Sequence, residues 1–472
     1  MSSADIGLFG LAVMGSNLAL NIAEEGYKIA VCNRSPGRVD DFMAEAKAEG
    51  LDGNAIPTKD LKEFVAAIKR PRSIIIMVKA GSPVDDMIEQ LLPLLEEGDA
   101  IIECGNSLYS DTERRFAYLK PKGIGYLGVG VSGGEEGARH GPSIMVGGAK
   151  QQWHNAEKVL TDIAAKFNGE SCCAYLGEGG AGHFVKTIHN GIEYGDMQMI
   201  AEVYGVMRDG LGMSPAECAK VFKKWNEGPL NSYLIEITGH VLEYVDQASG
   251  QPLVDLIVDK AGQKGTGRWS AIAAQQMAIP ATAIEGAVAA RSISALKDVR
   301  IEAEGVYGKR TVGKVDVTLD DLEKALLAGK IVSYAQGFAV LQKASEENGW
   351  GLPLATIAKI WRAGCIIRSR FLDQMSAAYD KEGNANLLLV PDFVEIMQNS
   401  HGELRKVVAA GAEGELPLIS LSASLAYFDS FRQSRGTANL IQGQRDFFGA
   451  HGFEIDGRGP DQHGEWPSTL EN

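Results

Sequence analysis

The sequence predicts an α/β domain built on a parallel sheet, then a large all-helical domain, then an extended C-terminal tail. Three observations predict it. Over residues 1–178, short apolar runs alternate with amphipathic helical stretches, the pattern of a parallel sheet covered on both faces. Over residues 179–435 the apolar period turns helical and strand-like alternation becomes scarce. From residue 436 to 472 the chain is rich in glycine and polar residues and shows no period of its own. A chain of 472 residues, 45% hydrophobic and 23% charged, is long enough for such an arrangement with a large buried core.

The apolar runs of the first part lie at 6–9, 29–31, 73–78, 100–102 and 126–131, each ending in a polar or glycine-containing turn. In open α/β sheets, ligands bind beyond the carboxyl ends of such strands. The helical part opens with 183–209, long and almost free of breakers. Further helices are expected at 215–224, 253–261, 281–296, 319–327, 332–347 and 354–362. Ala219-Lys220-Val221-Phe222 is echoed by Ala358-Lys359-Ile360-Trp361, each shortly after a long helix, as a duplicated helical unit would leave them.

Charge narrows the function classes. The chain has 46 basic and 61 acidic side chains, a net charge of −15. A general nucleic-acid binder normally shows a basic face, so no nucleic-acid partner is expected. An anionic substrate would need local cations to overcome the overall field. The six cysteines, Cys32, Cys104, Cys172, Cys173, Cys218 and Cys365, form no C-x-x-C pair. A bridge between the neighbours Cys172 and Cys173 would be strained, and reduced thiols are the simpler reading. No apolar run is long enough to span a bilayer, and no signal-peptide pattern opens the chain. The ending Ser468-Thr469-Leu470-Glu471-Asn472 is not a peroxisomal address. The expectation is a soluble cytoplasmic protein with no membrane partner, or a plastid one if a transit peptide preceded this numbering.

The first turn carries a cofactor signature. Gly10-Leu11-Ala12-Val13-Met14-Gly15 follows the first run and opens a helix expected at 16–25. This is the dinucleotide fingerprint with alanine for the middle glycine, and it makes the first domain Rossmann-like. Gly10 permits the tight turn, Gly15 lets helix and strand approach, and the helix N-terminus offers N–H groups to a pyrophosphate. An isolated match could be a plain turn; its place in a strand–turn–helix–strand unit argues otherwise. At the end of the second run an NAD site normally carries Asp or Glu for the ribose hydroxyls. Asn33-Arg34-Ser35 stands there instead. A carboxylate would repel a 2′-phosphate, whereas Arg34 can pair with it, so NADP is the expected cofactor. Val78 at the end of the third run, Lys79 and Ala80 after it, and Asn106 after the fourth lie at the same ligand edge.

The segment Gly182-His183-Phe184-Val185-Lys186-Thr187-Ile188-His189-Asn190-Gly191-Ile192-Glu193-Tyr194 offers catalytic groups. On a helix, Lys186, His189, Asn190, Glu193 and Tyr194 fall within an arc of roughly 140°. One face thus presents an amine, an imidazole, an amide, a carboxylate and a phenol. A solvated helix also shows mixed polar faces. His189 and Glu193, at i and i+4, could be metal ligands, but no further histidine or cysteine cluster completes such a site, and no metal is expected.

That segment resembles the signature of 6-phosphogluconate dehydrogenases. So do Val131-Ser132-Gly133-Gly134-Glu135-Glu136-Gly137-Ala138 and Gly262-Gln263-Lys264-Gly265-Thr266-Gly267-Arg268-Trp269. The likeness runs from Gly10 to Arg445-Asp446-Phe447-Phe448-Gly449-Ala450-His451, nearly the whole chain. The resemblance implies NADP-dependent oxidation and decarboxylation of 6-phosphogluconate to ribulose 5-phosphate, the oxidative step of the pentose phosphate pathway, without a metal. It implies Lys186 as general base and Glu193 as acid. Asn106, Ser132, Gly133, Gly134, His189 and Asn190 match substrate-binding positions. Tyr194, Lys264, Thr266 and Arg291 match a phosphate pocket that Arg445 and His451 complete from the tail. The family forms homodimers in which the tail crosses to the partner, so the same is expected here. Ser35 stands where threonine is common, and Glu103-Cys104-Gly105-Asn106 replaces a more usual acidic–Gly–Gly–Asn run. The tail after His451 diverges most.

Two rival readings are separable. A β-hydroxyacid dehydrogenase of the same superfamily would share the fingerprint, Ser132-Gly133-Gly134 and the lysine. It would not need Lys264, Arg291, Arg445 and His451, nor so long a second domain. A catalytically silent NADP-binding regulator would be expected to lose Lys186 or Glu193, and both are present.

Overall fold

A computed structural model describes residues 3–313, 315–383 and 385–466. The terminal pentapeptide from Ser468 lies outside the described residues. Residues 1–424 form one compact unit and residues 425–472 a second.

In the first unit eight strands make one sheet: β1 (Ile6–Phe9), β2 (Ile29–Cys32), β3 (Ala55–Pro57), β4 (Ser73–Ile76), β5 (Ala100–Glu103), β6 (Gly125–Val131), β7 (Ile144–Gly148) and β8 (Cys173–Gly177). Their spatial order is β8-β7-β6-β5-β4-β1-β2-β3. Strands β1 to β6 pair in parallel, and the sheet is buried on both faces. Ile6, Leu8, Ile75, Ile102 and Leu127 join one core. Phe9, Ile74, Ile76, Ile101 and Tyr126, their pleat neighbours, join the other. This is the covered α/β sheet that the sequence pattern predicts, with β1 carrying the fingerprint at its carboxyl end.

The pattern did not predict β3, β7 or β8, nor one reversal. β7 runs antiparallel to β6, and β8 parallel to β7. A parallel return needs a crossover of a dozen or more residues. The connection from β6 to β7, residues 132–143, stands at that lower limit and holds only the seven-residue helix Gly134–His140, and the chain turns back.

The helical part is built on two long helices. Ala181–Gly205 runs on into one π-helical turn, Val206–Gly210, and Leu319–Asn348 has 30 residues. The separate helices expected at 319–327 and 332–347 are therefore one. Gly329, between the two expected segments, serves close approach: a Cβ there would meet Met199 Sδ at 2.6 Å. The helix expected at 253–261 shrinks to Leu253–Leu256, because Ile257 and Val258 are β-branched and the stretch after it is exposed on every side. The echoed tetrapeptides lie in or at the end of Pro215–Trp225 and Leu354–Ile360, short helices that follow the two long ones, with Phe222 and Trp361 buried. Among the described residues, no helix is long and apolar enough to cross a membrane.

The second unit corrects the expectation of a patternless extended tail. Ala438–Gly449 is helical, and Phe453–Ile455 pairs antiparallel with Gly459–Gln462. Leu440, Ile441, Phe447 and Phe448 recur at helical spacing yet remain exposed. An apolar period without burial did not stand out among glycine and polar residues.

Candidate active site

Backbone approach builds the ligand edge of the sheet. Gly10 has φ +108, and a Cβ on it would meet the Met77 carbonyl at 2.4 Å. A Cβ on Gly15 would meet the Gly10 carbonyl at 1.9 Å. Only glycine permits this packing of turn, helix and strand. The helix begins inside the fingerprint, as Val13–Glu24 rather than at Ser16, and its extended N-cap Ala12 supplies no side-chain hydrogen bond. The first N–H groups thus remain free for an anion. Leu11 N–H donates to Asn33 Oδ1 at 3.0 Å, tying the turn to the end of β2. Ala12 and Val13 are exposed and Met14 half-buried along the cradle, while Arg34 and Ser35 are exposed at its rim. The cradle fits a dinucleotide, and a cation without a carboxylate at the β2 end fits its 2′-phosphate.

Val78, Lys79 and Ala80 follow β4, and Asn106 follows β5; Lys79 and Asn106 are exposed. A buried arginine joins these two loops. Arg115, on the helix Tyr109–Leu119, has a side chain only 1% exposed. Its Nε donates to Asp85 at 2.8 Å, its Nη2 to the Gly81 carbonyl at 3.0 Å, and its Nη1 lies 3.4 Å from Glu103 Oε2. Tyr126 donates to the same carboxylate oxygen at 2.5 Å.

The helix Ala181–Gly205 lies against the sheet at backbone distance. A Cβ on Gly130 would meet Lys186 Cβ at 2.4 Å, and one on Gly182 would meet the Gly128 carbonyl at 2.3 Å. Lys186 is thereby brought beside Ser132 at the end of β6, and its Nζ donates to Ser132 Oγ at 2.9 Å. Ser132 Oγ lies 3.3 Å from His189 Nε2, and His189 Nδ1 lies 2.9 Å from Asn190 Oδ1. Asn190 Nδ2 donates to Thr266 Oγ1 at 3.0 Å. The chain has one consistent direction. Lys186 donates, so the Ser132 hydroxyl oxygen accepts and its hydrogen points to Nε2. His189 then carries its proton on Nδ1 and donates to Asn190. Burial holds His189 well below the usual imidazole range, with Lys186 opposing its charge further, so it is neutral.

Burial also pushes the Lys186 amine below its ordinary value, against the pull of Glu193. It pushes the Glu193 carboxyl above its ordinary value, opposed by Lys186 and Arg291. Glu193 Oε2 is 3.8 Å from His189 Nδ1, too far for a hydrogen bond. Among the described residues, no group of three or more His, Cys, Asp or Glu side chains is arranged to hold a metal ion. Tyr194 is pressed against the start of the helix Thr266–Gln276, where a Cβ on Gly267 would meet its ring at 2.4 Å. The Arg291 guanidinium stands 3.6 Å from the Tyr194 ring centroid. Gly133 turns the chain after Ser132, Gly134 opens the helix Gly134–His140, and Lys264 is exposed in the loop before Thr266.

Lys186, Ser132, His189, Asn190 and Thr266 are thus hydrogen-bonded in series, with Glu193 and Tyr194 on the next turn of the same face and Arg291, from the helix Thr282–Ala295, over the Tyr194 ring. Arg445 and His451 belong to the second unit, where both are exposed. There Arg445 donates to Gln442 Oε1 at 2.9 Å, and the His451 ring meets Phe448 edge-on at 5.8 Å.

Comparison with known proteins matches residues 5–177 to the NAD binding domain of 6-phosphogluconate dehydrogenase and residues 182–466 to the C-terminal domain of 6-phosphogluconate dehydrogenase. The chain belongs to the 6-phosphogluconate dehydrogenase family. It is 47% identical to the NADP(+)-dependent, decarboxylating 6-phosphogluconate dehydrogenase of Bacillus subtilis (strain 168), over 99% of this chain and 100% of that one. To the decarboxylating enzyme of Homo sapiens it is 48% identical, over 96% of this chain and 95% of the other. The solved 6-phosphogluconate dehydrogenase of Plasmodium falciparum superposes with a TM-score of 0.94 at 42% identity, covering 98% of this chain and 100% of that chain. That structure is described in apo form, with its cofactor NADP+ and with its substrate 6-phosphogluconate.

Three buried groups near this family site were not singled out from the sequence. Nothing in the local pattern separates Arg115 from Arg114, whose side chain is 56% exposed on the same helix. Lys330 and Asp196 form a fully buried ion pair at 2.5 Å, one turn beyond Glu193. Here a signal existed: Lys330 interrupts an apolar stretch of helix, and a lysine so placed must find a partner. Removing one member of such a pair costs about 3–5 kcal/mol. Cys365 is buried close enough to Lys186 for its thiol to feel the amine, although burial dominates and pushes the thiol up to about 12.

Proposed function

We propose that this protein oxidises and decarboxylates 6-phosphogluconate to ribulose 5-phosphate and CO2, with NADP as the oxidant. The observation that carries the mechanism is the directed hydrogen-bond chain from Lys186 to Thr266. A neutral lysine has two N–H donors and one lone pair. With one N–H engaged by Ser132, the lone pair is left for the substrate's 3-hydroxyl, and burial keeps the amine available as a base. NADP, when bound, supplies the acceptor for the hydride leaving C3. Lys186, now protonated, polarises the C3 ketone. The C1–C2 bond then breaks, CO2 departs, and its electron pair forms the C2–C3 enediol as Lys186 returns a proton to the C3 oxygen. Glu193, whose carboxyl burial pushes above its ordinary value, delivers a proton to C2, while the C3 hydroxyl returns its proton to Lys186 and the ketone reforms at C3, the carbon that becomes C2 of the pentulose.

The cofactor residues of this reading are Gly10 to Gly15, Asn33, Arg34, Ser35, Val78, Lys79, Ala80 and Asn106. Ser132, Gly133, Gly134, His189 and Asn190 hold the sugar acid, with Asn106 shared between the two ligands. Tyr194, Lys264, Thr266, Arg291, Arg445 and His451 hold the phosphate, a local basic pocket in an acidic protein. The chain reads as an NADP-binding domain to residue 178, a helical substrate and dimerisation domain to 435, and a tail. The absence of a membrane-crossing helix among the described residues is compatible with a cytoplasmic enzyme. The deciding assay follows NADPH and CO2 release from 6-phosphogluconate with unphosphorylated gluconate as control. Comparable turnover of both acids would favour a general β-hydroxyacid dehydrogenase instead.

The reading extends to a homodimer whose tails are exchanged, so that each site takes Arg445 and His451 from the partner. What supports it is the uncovered apolar face Leu440, Ile441, Phe447 and Phe448 beside these two ligands. Mixing Arg445→Ala with Lys186→Ala protein should restore activity to about one quarter of wild type after random subunit exchange, because half the dimers then hold one intact site. No recovery despite verified exchange means that the tail serves its own subunit.

A further inference from the structure

In the second unit the rings of Phe447 and Phe453 meet Trp466, and one carboxylate organises the fold. The Asp446 side chain is 1% exposed. Its Oδ1 accepts from Gly452 N–H at 2.9 Å and His463 Nδ1 at 2.7 Å. Its Oδ2 accepts from Gly464 N–H at 2.9 Å and Trp466 Nε1 at 2.7 Å. These four donors come from both ends of the hairpin Phe453–Ile455/Gly459–Gln462, so the carboxylate fastens the hairpin to the helix Ala438–Gly449. The Gly464 N–H does most to hold this carboxyl well below the usual carboxylate range, with Trp466, His463 and Gly452 adding to it against the effect of burial.

The same carboxylate is wired to Arg445. Gly452 donates its N–H to Asp446 and accepts at its carbonyl from Gln442 Nε2. Gln442 Oε1 in turn accepts from Arg445 Nη1. The closed path is Asp446, Gly452, Gln442, Arg445. Gly452 also sets the backbone next to His451, just after Ala450 turns the chain at φ +48 and donates its N–H to the Asp446 carbonyl at 2.8 Å.

We infer that Asp446 is a positioning residue for substrate binding: through Gly452 and Gln442 it holds Arg445 and His451 in the arrangement that receives the phosphate. This rests on the reading of those two residues as phosphate ligands. The exposed guanidinium is otherwise free to sample many rotamers, and fixing it beforehand removes an ordering cost from binding. The carboxylate is specific to the task, because an asparagine would turn two of its four acceptor contacts into donor–donor clashes.

The test uses the full-length enzyme and steady-state kinetics in both substrates. Asp446→Asn should raise KM for 6-phosphogluconate at least tenfold, with kcat and KM for NADP held within about twofold. Gln442→Met, which cuts the path while sparing the hairpin contacts, should move the same KM in the same direction. In an Arg445→Ala background, Asp446→Asn should add much less than it does alone, since residues acting as a unit are non-additive. Arg445→Ala without effect on that KM overturns the phosphate-ligand reading. If Arg445→Ala raises KM but Asp446→Asn and Gln442→Met do not, the positioning inference alone is overturned. A loss in Asp446→Asn spread equally over kcat and both KM values, with Gln442→Met silent, assigns Asp446 a structural role and also overturns it.

Discussion

Lys186→Met is expected to lower kcat about 10^3-fold or more while leaving KM for 6-phosphogluconate within a few-fold of wild type. Methionine keeps the length and apolar stem of the side chain, so the site against Gly130 stays filled. What disappears is the proton acceptor and, in the second half of the reaction, the cation that polarises the ketone. General base catalysis alone contributes about 10^2–10^4 in rate, and ~10^3 corresponds to roughly 4 kcal/mol of barrier. In the proposed base role the lysine acts mainly in the transition state, so kcat and kcat/KM should fall together. A variant retaining a tenth of wild-type kcat would remove Lys186 from the base role.

The pH profile carries the same assignment. Lys186 must be unprotonated to accept the substrate proton, so activity is lost as pH falls through its pKa. Burial lowers that pKa, which places the acid limb below the ordinary lysine range. Glu193 must be protonated to deliver its proton, so activity is lost as pH rises through its pKa. Burial raises that one, which places the alkaline limb above the ordinary carboxylate range. Glu193→Gln should lower kcat and abolish the alkaline limb while the acid limb persists. If the alkaline limb survives unchanged in Glu193→Gln, another group is the acid.

Much of this arrangement is legible in the sequence because it depends on local rules. The fingerprint at Gly10 is needed wherever backbone meets backbone at this turn, and the Lys186-to-Tyr194 face follows from helical spacing alone. The parts that were not legible depend on tertiary contacts. The joining of two expected helices at Gly329 reflects close packing on Met199, which a propensity reading scores as a break. The directed chain from Lys186 through Ser132 and His189 to Thr266 links three separate segments, and only the fold sets its direction. Arg115 looks like any solvated arginine until the loops at Gly81 and Glu103 close around it. The tail was misread for a related reason. Its order comes from four donors converging on Asp446, and polar convergence leaves no periodic trace.

Arg34→Asp is expected to reverse the preference between cofactors. The arginine stands exposed just after β2, on the rim of a cradle whose turn is tied to Asn33, and Asn33, Arg34 and Ser35 stand where a carboxylate would serve an NAD site. A 2′-phosphate there receives charge-assisted hydrogen bonds, each worth about 1.5–3 kcal/mol net. Aspartate removes them and adds a like charge. The combined change should cut kcat/KM for NADP by about 10^2–10^3-fold, corresponding to roughly 3–4 kcal/mol. NAD carries a hydroxyl where NADP carries the phosphate, and a carboxylate can accept its hydrogen bond. Activity with NAD should therefore hold or rise. The sugar acid binds to other groups, so KM for 6-phosphogluconate should stay within about twofold when each cofactor is saturating. Raising ionic strength should narrow the wild-type preference, since the contact is a partly exposed charge pair, and should also weaken the variant's discrimination against NADP, since its like-charge repulsion is screened in the same way. An equal loss with both cofactors would mean that Arg34 supports the turn itself rather than the phosphate, and the basis of NADP selection would have to be sought elsewhere on the rim, first at Ser35.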